Sequence, residues 1–380
     1  MALRLSSTSI FRQGLLALGA LALGAVFAVV TIEIGLRAIG FGAVSVLAYG
    51  RDHYNPDLPE IGYAGRPNIH GIQTREGISE VRFNSHGFHD IEHDRTPDPD
   101  TYRVVVVGNS YTMAEQVPRA DVYVSRLEKE LTLCPVLAGR KIETINLGVD
   151  GYTIHQQYLV LLDYGLSLSP DLVVLQVNSF ALAGDFDPLF NLSPRLVLHG
   201  DELDVDRAYL LHPEFRRRAS RVAALIQQLS DRSRVLQYLL EVRRRAGQLS
   251  ATSAKPAGAQ ALERYRSDRD MVVEQFAKLL RDLNIPWALT IVPTADDTTY
   301  SPERSSPMEI DWLNLAHRLG IPAIDVEQEA RAEVRTTGRF LHGFGTTMTT
   351  GHLNRHGHAF FARALSAHLC EIITLHGAVK

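Results

Sequence analysis

The longest apolar run of the chain lies near its N-terminus and covers residues 14–32. It reads GLLALGALALGAVFAVVTI and contains neither a charged residue nor a proline. A helix of this length crosses the roughly 30 Å hydrocarbon layer of a bilayer, and its backbone hydrogen bonds stay within the segment, as lipid requires. Because the run is apolar all round rather than on one stripe, it is not typical of a core helix. The pattern predicts a transmembrane anchor in residues 1–40.

A cleaved signal peptide is the alternative for this segment. Its apolar region usually has only about 7–15 residues and ends at a small-residue cleavage site, which is not evident here. Arg4 and Arg12 precede the run without a neighbouring acidic residue and favour a cytoplasmic N-terminus, although Arg37 and Arg51 beyond it weaken the asymmetry. We expect an uncleaved single-pass anchor, with residues 14–32 in the lipid bilayer and the main domain periplasmic or extracellular.

Beyond residue 100, short β-branched runs alternate with amphipathic helical patterns. The strand-like runs are 103–107, 142–146, 172–177, 287–292 and 321–325, and the helical patterns are 122–131, 156–166, 264–283 and 308–319. Such alternation is typical of βαβ units, which build a parallel sheet with helices on both faces. The sequence therefore predicts a three-layer α/β/α domain over residues 101–380, with ligands bound at the carboxyl ends of its strands.

Two segments depart from this alternation. Residues 41–100 are rich in Pro, Gly, His and Asn, and they predict an irregular collar between the anchor and the main domain. An insertion at about 186–260 contains two predicted helices, 213–229 and 233–246, each with a run of three arginines. A solvated helix face is the simplest interpretation of these runs, and contact with anionic lipid headgroups or an acidic partner surface is the alternative.

Composition limits the function classes further. Hydrophobic residues make up 45% and charged residues 22% of the chain, as in ordinary globular proteins. The net charge of -4 argues against nucleic acid as the main partner, because phosphate binding needs concentrated Lys and Arg. The two cysteines, Cys134 and Cys370, exclude a disulfide-stapled scaffold and a Cys-rich metal site. One disulfide in an oxidising compartment and two separate buried thiols both stay open.

Four short blocks of polar residues and glycines carry the candidate chemistry. They are 108–112 (GNSYT), 146–152 (NLGVDGY), 170–179 (PDLVVLQVNS) and 351–358 (GHLNRHGH). Ser110 follows a predicted strand, where a strand-to-helix turn exposes a hydroxyl at the edge of the sheet. Gly151 and Asn178 can offer a backbone N–H and a side-chain amide to an oxyanion, and His352 can move a proton. Taken singly, each residue also fits a turn or a helix cap.

Four histidines near the C-terminus also suggest a metal site: His342, His352, His356 and His358. No carboxylate or cysteine accompanies them at a familiar ligand spacing. We therefore expect neither a metal nor another cofactor.

In order and placement the four blocks resemble those of the SGNH (GDSL-type) hydrolases. Members of that family carry Gly-Asp-Ser, then Asn-x-Gly-x-x-Gly, then Gly-Asn-Asp, then Asp-x-x-His-x-Asn-x-x-Gly-His. Residues 83–88 (FNSHGF) are also similar to the Asn-Ser-x-Gly-Phe segment of membrane-anchored members. The resemblance covers most of residues 80–380 except the insertion, and it implies a five-stranded parallel sheet between helices.

The resemblance also implies a role for each site residue. Ser110 would be the nucleophile and His352 the general base and acid. The oxyanion hole would consist of the backbone N–H groups of Ser110 and Gly151 and the side chain of Asn178. The implied reaction is ester hydrolysis or acyl transfer through an acyl-serine intermediate without a cofactor, and the implied substrate is an acylated glycan or lipid.

Every acidic position of the blocks is replaced in this chain. Asn109 and Ser179 occupy two of these positions, and Thr349 (Thr350 on a shifted alignment) occupies that of the acid before the histidine. That carboxylate fixes the imidazole tautomer, and its loss can cost about four orders of magnitude in turnover.

Two functions stay open at this point. Asp185 or Asp187 can replace the lost acid, or Ser110 and His352 can act as a dyad, so we expect a membrane-anchored, extracytoplasmic serine esterase or acyltransferase. The alternative is a non-catalytic SGNH-fold subunit that binds a membrane protein partner.

Overall fold

The computed structural model describes residues 7–178, 192–200, 202–251, 259–293 and 307–377. Its helices are α1 (Ser7–Ala38), α2 (Ser110–Met113), α3 (Tyr123–Leu131), α4 (Ile154–Asp163), α5 (Pro213–Arg218), α6 (Arg221–Arg232), α7 (Arg234–Ala251), α8 (Ala259–Asp282), α9 (Pro307–Leu319), α10 (Glu327–Thr337) and α11 (Arg355–Gly377). Its strands are β1 (Leu47–Tyr49), β2 (Tyr63–Gly65), β3 (His70–Gln73), β4 (Ser79–Arg82), β5 (Thr101–Gly108), β6 (Lys141–Gly148), β7 (Leu172–Asn178), β8 (Arg195–His199), β9 (Glu202–Asp206), β10 (Trp287–Val292) and β11 (Ala323–Asp325).

The central sheet consists of five parallel strands in the order β11-β10-β7-β5-β6. Strands β5, β7 and β10 are buried along their whole length, as expected for apolar strands covered on both faces. This arrangement confirms the predicted α/β/α fold with a five-stranded parallel sheet. Because the strands are parallel, the loops after β5, β6 and β7 meet at one edge of the sheet.

Helices cover both faces of the sheet. One apolar core cluster joins the sheet to α4, α8, α9 and part of the collar, and the other joins it to α3, α10 and α11. A disulfide between Cys134 and Cys370 links the turn after α3 to α11, with the two Cα atoms 5.6 Å apart. Of the two interpretations left open by the sequence, the structure therefore supports the bonded pair.

The collar contains more regular structure than the sequence pattern indicates. Strands β1 and β2 pair antiparallel, and so do β3 and β4. These strands have only three or four residues each, which is too short for a period-two pattern to stand out. Leu58 and Ile61 of the collar are completely buried in the core cluster that includes α4, so the collar packs against the sheet domain.

Helix α1 is long and apolar enough over Phe11–Ala38 to cross a membrane, and its apolar side chains are exposed. A signal sequence near an N-terminus meets the same criterion. The C-terminal end of α1 is bonded to the insertion. The Glu33 carboxylate accepts hydrogen bonds from the backbone N–H groups of Arg234 and Val235, both at 3.0 Å, and Arg37 donates to the Arg232 carbonyl at 2.9 Å.

One predicted helix of the insertion is interrupted. The pattern predicts a single helix over residues 213–229, whereas the structure has α5 and α6 there. The break occurs at Ser220, whose backbone is extended and whose hydroxyl accepts a hydrogen bond from the Ala223 N–H at 3.2 Å. A serine that caps a helix in this way starts a new helix. The second predicted helix is present as α7, and the short hairpin β8–β9 precedes α5.

Candidate active site

Ser110 lies at the turn from β5 into α2. Asn109 caps α2, because its side-chain oxygen accepts a hydrogen bond from the Tyr111 N–H at 3.2 Å. The turn leaves no room for a side chain at residue 108, because a Cβ on Gly108 would collide with the side chains of Thr112 and Gln176. Ser110 therefore begins a helix at the carboxyl edge of the sheet, as the sequence predicts for a nucleophile.

His352 lies in the loop before α11, with its Nε2 atom 2.9 Å from the Ser110 Oγ. The Tyr111 ring packs against the imidazole with 4.9 Å between ring centroids, and the Tyr111 hydroxyl donates to the Gly351 carbonyl at 3.2 Å. Asn354 fixes the start of α11, because its Oδ1 accepts hydrogen bonds from the next turn of backbone. The structure thus brings the predicted nucleophile and the predicted base into hydrogen-bond contact.

Glu76 occupies the place of the missing acid. Its Oε1 and Oε2 atoms lie 2.9 Å and 3.0 Å from the His352 Nδ1, and Oε2 also accepts a hydrogen bond from the His352 backbone N–H at 3.2 Å. Glu76 belongs to the loop between β3 and β4, so the collar supplies this carboxylate. Ser110, His352 and Glu76 form a continuous chain of hydrogen bonds with the geometry of a catalytic triad.

The position before the histidine does not contribute the acid. Thr349 has a positive φ of 76°, and its N–H donates to the His342 carbonyl at 3.1 Å. Ser179 and the two carboxylates that the sequence offers as replacements, Asp185 and Asp187, lie outside the described residues.

Sequence reasoning missed Glu76, although a weak signal was present. The turn Arg75-Glu76-Gly77 is charged and stands between two short strands. A Cβ on Gly77 would collide with the Gln116 carbonyl and the Phe344 ring, so this loop lies close against the sheet domain. Nothing in the spacing between Glu76 and His352 marks them as partners, because only the fold brings the collar to this edge.

Charge around His352 favours its protonated form. Burial by itself lowers the pKa of the imidazole, but the hydrogen bond and charge of Glu76, with the charges of Asp150 and Glu115, outweigh it and raise the pKa above 6.5. Burial raises the pKa of Glu76, yet the contacts with His352 prevail and lower it below 4.5. The site therefore stabilises an imidazolium next to a carboxylate, which is the charge state that a histidine of a catalytic triad reaches when it has accepted a serine proton.

A partly buried cluster of Arg75 with two buried glutamates holds the loop that carries Glu76. Arg75 Nη1 lies 3.6 Å from the Glu115 carboxylate, and Arg75 Nε donates to Glu241 of α7 at 3.2 Å. Gln73 donates a further hydrogen bond to Glu115 at 3.1 Å. Burial raises the pKa of Glu115 to about 7 in spite of the nearby arginine. The sheet domain and the insertion thus hold the β3–β4 loop from two sides.

The predicted oxyanion donors lie at the ends of neighbouring strands. Gly151 follows β6 with a φ of +72°, and the Tyr63 hydroxyl donates to its carbonyl at 2.7 Å. Asn178 ends β7 and is buried, and its Oδ1 atom has no hydrogen-bond partner within the described part of the chain. Because β7, β5 and β6 are adjacent in the sheet, Gly151 and Asn178 lie on the two sides of the strand that leads to Ser110.

The four C-terminal histidines have different surroundings. His342 is buried with its ring edge-on to Tyr111. His358 is also buried, and its Nδ1 accepts a hydrogen bond from the Tyr123 N–H at 3.3 Å. The Nε2 atom of His356 lies 3.3 Å from a glutamate carboxylate of α10, while His352 faces Ser110. No group of three or more His, Cys, Asp or Glu side chains in the described ranges is arranged to hold a metal ion.

No family model and no curated protein matches the sequence. Among solved structures, the chain is similar to an acetyl xylan esterase at 17% identity, over 70% of this chain and 98% of that chain, with a TM-score of 0.38. It is similar to a lipase/acylhydrolase from Enterococcus faecalis at 13% identity, over 71% and 96% of the two chains, with a TM-score of 0.37. A third similar structure is a putative lipolytic protein of the G-D-S-L family from Desulfitobacterium hafniense, at 10% identity, over 70% and 98%, with a TM-score of 0.34.

Proposed function

We propose that this protein is a membrane-anchored serine esterase or acyltransferase that works through an acyl-serine intermediate. The observation that carries the proposal is the position of His352, which lies 2.9 Å from the Ser110 Oγ through one ring nitrogen and 2.9 Å from the Glu76 carboxylate through the other. A hydroxyl, an imidazole and a carboxylate joined in this order are the groups that activate a serine nucleophile.

In the proposed reaction, His352 Nε2 takes the Ser110 proton while Oγ attacks the carbonyl carbon of an ester. Glu76 keeps the other proton on Nδ1 and stabilises the imidazolium. The carbonyl oxygen becomes an oxyanion, which accepts hydrogen bonds from the backbone N–H groups of Ser110 and Gly151 and from the Asn178 amide. His352 then protonates the leaving alkoxide, and the acyl group remains on Ser110.

The second half of the reaction decides between the two activities. Water or an acceptor hydroxyl attacks the acyl-serine while His352 takes its proton, and His352 returns that proton to Ser110 Oγ as the bond between the acyl carbon and Oγ breaks. Attack by water gives hydrolysis, whereas attack by a hydroxyl gives acyl transfer. An acylated glycan or lipid is the proposed substrate class.

The proposed location is the outer side of a membrane. Helix α1 supports anchoring through its length and composition, and Arg4 and Arg12 support a cytoplasmic N-terminus. The bond between Cys134 and Cys370 supports a main domain outside the cytoplasm, because disulfides persist in oxidising compartments.

The alternative, a non-catalytic subunit of a membrane complex, is motivated by the loss of all three acidic positions and by the basic helices of the insertion. Glu76 answers the most serious of these losses, because a carboxylate contacts the imidazole from another part of the chain. We therefore propose the catalytic function.

The test is hydrolysis of a short-chain aryl ester by the full-length protein in detergent. Ser110→Ala should lower kcat by at least about a thousandfold, because it removes the nucleophile. Ser366→Ala is the matched control, since its hydroxyl donates to the Arg363 carbonyl within the same helix, α11. Equal rates for Ser110→Ala and the unmodified protein would contradict the catalytic proposal.

A further inference from the structure

Helix α6 turns its polar side toward the protein and its apolar side away from it. Gln227 donates a hydrogen bond to the backbone of β1 at 2.7 Å, and Asp231 pairs with Arg66 at 2.6 Å. The opposite side of α6 carries four apolar residues at helical spacing, between 40% and 67% exposed: Val222, Leu225, Ile226 and Leu229. A surface helix of a globular domain has the reverse arrangement. The apolar side of α6 therefore has the character of a contact surface.

Helix α7 shows the same reversal. Its buried side binds the body of the protein through Gln237, which accepts a hydrogen bond from the Ala43 N–H at 3.0 Å, and through Glu241, which binds Arg75. Leu239 and Val242 lie on the other side of the helix and are 57% and 47% exposed. Helices α6 and α7 contact each other. We call Val222, Leu225, Ile226, Leu229, Leu239 and Val242 the apolar α6–α7 face.

The membrane helix ends at this pair of helices. The Glu33 carboxylate of α1 accepts hydrogen bonds from the first two backbone N–H groups of α7. Arg37 donates a hydrogen bond to the carbonyl of Arg232, the last residue of α6. Just beyond α1, the Phe41 ring packs edge-on against the Tyr238 ring of α7, with 5.8 Å between centroids. A helix that crosses the bilayer must bring the junction of α6 and α7 to the membrane surface.

The charge of the two helices fits an anionic surface. Exposed arginines stand close in sequence to the apolar α6–α7 face, namely Arg216, Arg217 and Arg221 before or at the start of α6 and Arg243 and Arg245 on α7, and two of them, Arg217 and Arg245, also pair with Glu214 and Glu241. Apolar residues with flanking arginines are typical of helices that lie in the plane of a membrane, about 5–10 Å into the boundary between headgroups and acyl chains.

We infer that the apolar α6–α7 face lies in the headgroup–acyl boundary of the same bilayer that α1 crosses. This inference rests on α1 being the anchor of the proposed function, but it does not depend on the chemistry of Ser110. The inferred docking also brings the active site close to the membrane surface. Glu241 lies about 10 Å along α7 from Arg234, at 1.5 Å per residue, and it holds the arginine next to Glu76. Membrane docking of α7 therefore keeps the β3–β4 loop close to the lipid surface.

The test is tryptophan quenching by brominated lipids. The full-length protein is placed, one copy per disc, in nanodiscs of phosphatidylcholine and phosphatidylglycerol, and its two native tryptophans supply the baseline. Leu225→Trp and Leu229→Trp probe the face. Leu133→Trp is the matched control, because Leu133 is 78% exposed and directly precedes Cys134, whose disulfide joins this turn to α11 rather than to α1 or the insertion. Leu21→Trp reports on the middle of α1.

We expect both α6 variants to lose emission when bromine is near the headgroup end of the acyl chain, and to lose less when it is near the terminal methyl. Leu133→Trp should stay unquenched, and Leu21→Trp should be quenched most by the deeper bromine. If Leu21→Trp is quenched while both α6 variants match Leu133→Trp, the docking inference is overturned and the anchor stands. Such a result would assign the face to a protein partner. If Leu21→Trp is also unquenched, both the docking and the anchor are overturned.

Discussion

Replacing Glu76 by glutamine removes one charge, changes almost no volume and separates the triad from a Ser-His dyad. In the unmodified protein, Glu76 Oε2 accepts the His352 backbone N–H at 3.2 Å, and both carboxylate oxygens face Nδ1. A glutamine has only one acceptor oxygen. If that oxygen keeps the backbone hydrogen bond, the amide NH₂ group faces Nδ1, which must then accept a hydrogen bond rather than donate one.

This exchange of donor and acceptor determines how far kcat falls in Glu76→Gln. With a donor opposite Nδ1, the neutral imidazole carries its proton on Nε2, which faces Ser110 and then cannot accept the serine proton. The charge that stabilises the imidazolium is lost as well. A triad acid replaced by its amide lowers kcat by about 10⁴-fold, which corresponds to about 5 kcal/mol in the activation free energy.

The assay is aryl ester hydrolysis across a pH series, with Glu80→Gln as the matched control. Glu80 lies on the adjoining strand β4, is exposed and contacts His70 instead of His352. The control should keep the full rate. A Glu76→Gln enzyme within tenfold of the unmodified protein would refute the reasoning, because Ser110 and His352 would then act without the carboxylate.

The pH profile gives an independent reading of the same contact. The base must be neutral, so kcat/KM should rise as pH passes through the pKa of His352, which lies above 6.5 largely because of Glu76. Without the Glu76 charge this pKa falls. The rising limb of the residual Glu76→Gln activity should therefore move to lower pH, and an unmoved limb would contradict the assignment of Glu76.

Three other changes test separate parts of the structure. Asn178→Ala should lower kcat by about 100- to 1000-fold with little change in KM, since an oxyanion donor acts mainly in the transition state. Steady-state kinetics measure both constants, and an unchanged kcat would exclude Asn178 as an oxyanion donor. The pKa of Glu115 is raised from 4.5 to about 7, so the folded protein loses stability as this carboxyl ionises between about pH 4.5 and pH 7. Glu115→Gln cannot ionise and should therefore raise Tm at pH 8 but not at pH 4. Cys134→Ser should lower the free energy of unfolding, measured by denaturant titration, by about 2–5 kcal/mol. A reducing agent should lower the stability of the unmodified protein in the same way but should leave Cys134→Ser unchanged. If Cys134→Ser and the unmodified protein are equally stable, the bond to Cys370 does not form.

The sheet and the nucleophile turn were predictable from sequence because their signals are local. A β-branched run followed by Gly108, Asn109 and Ser110 specifies a buried strand and a capped helix within a few residues. The break at Ser220 was missed for the opposite reason. The apolar and charged residues before and after Ser220 continue one helical pattern. The only local signal for the break is a serine, and a serine is also found in the interior of helices.

The source of the acid was not predictable in the same way. Glu76 contacts His352 because the β3–β4 hairpin is folded against the carboxyl edge of the sheet and held there by Arg75. These contacts join parts of the chain that are far apart in sequence. The disulfide has the same origin, since neither cysteine carries a spacing signal and the packing of α11 beside α3 brings them together.

The supply of Glu76 by the collar has a consequence for dividing this protein into parts. The five-stranded sheet, Ser110, Asn178 and His352 all lie beyond residue 100, so a fragment that starts at β5 contains every strand of that sheet, although it lacks the collar side chains that complete one of the two main cores. It would nevertheless lack both the carboxylate and the Tyr63 hydroxyl that holds Gly151. The five-stranded sheet and the proposed catalytic groups therefore begin at different residues, and a fragment made to test the proposed activity has to begin before Tyr63.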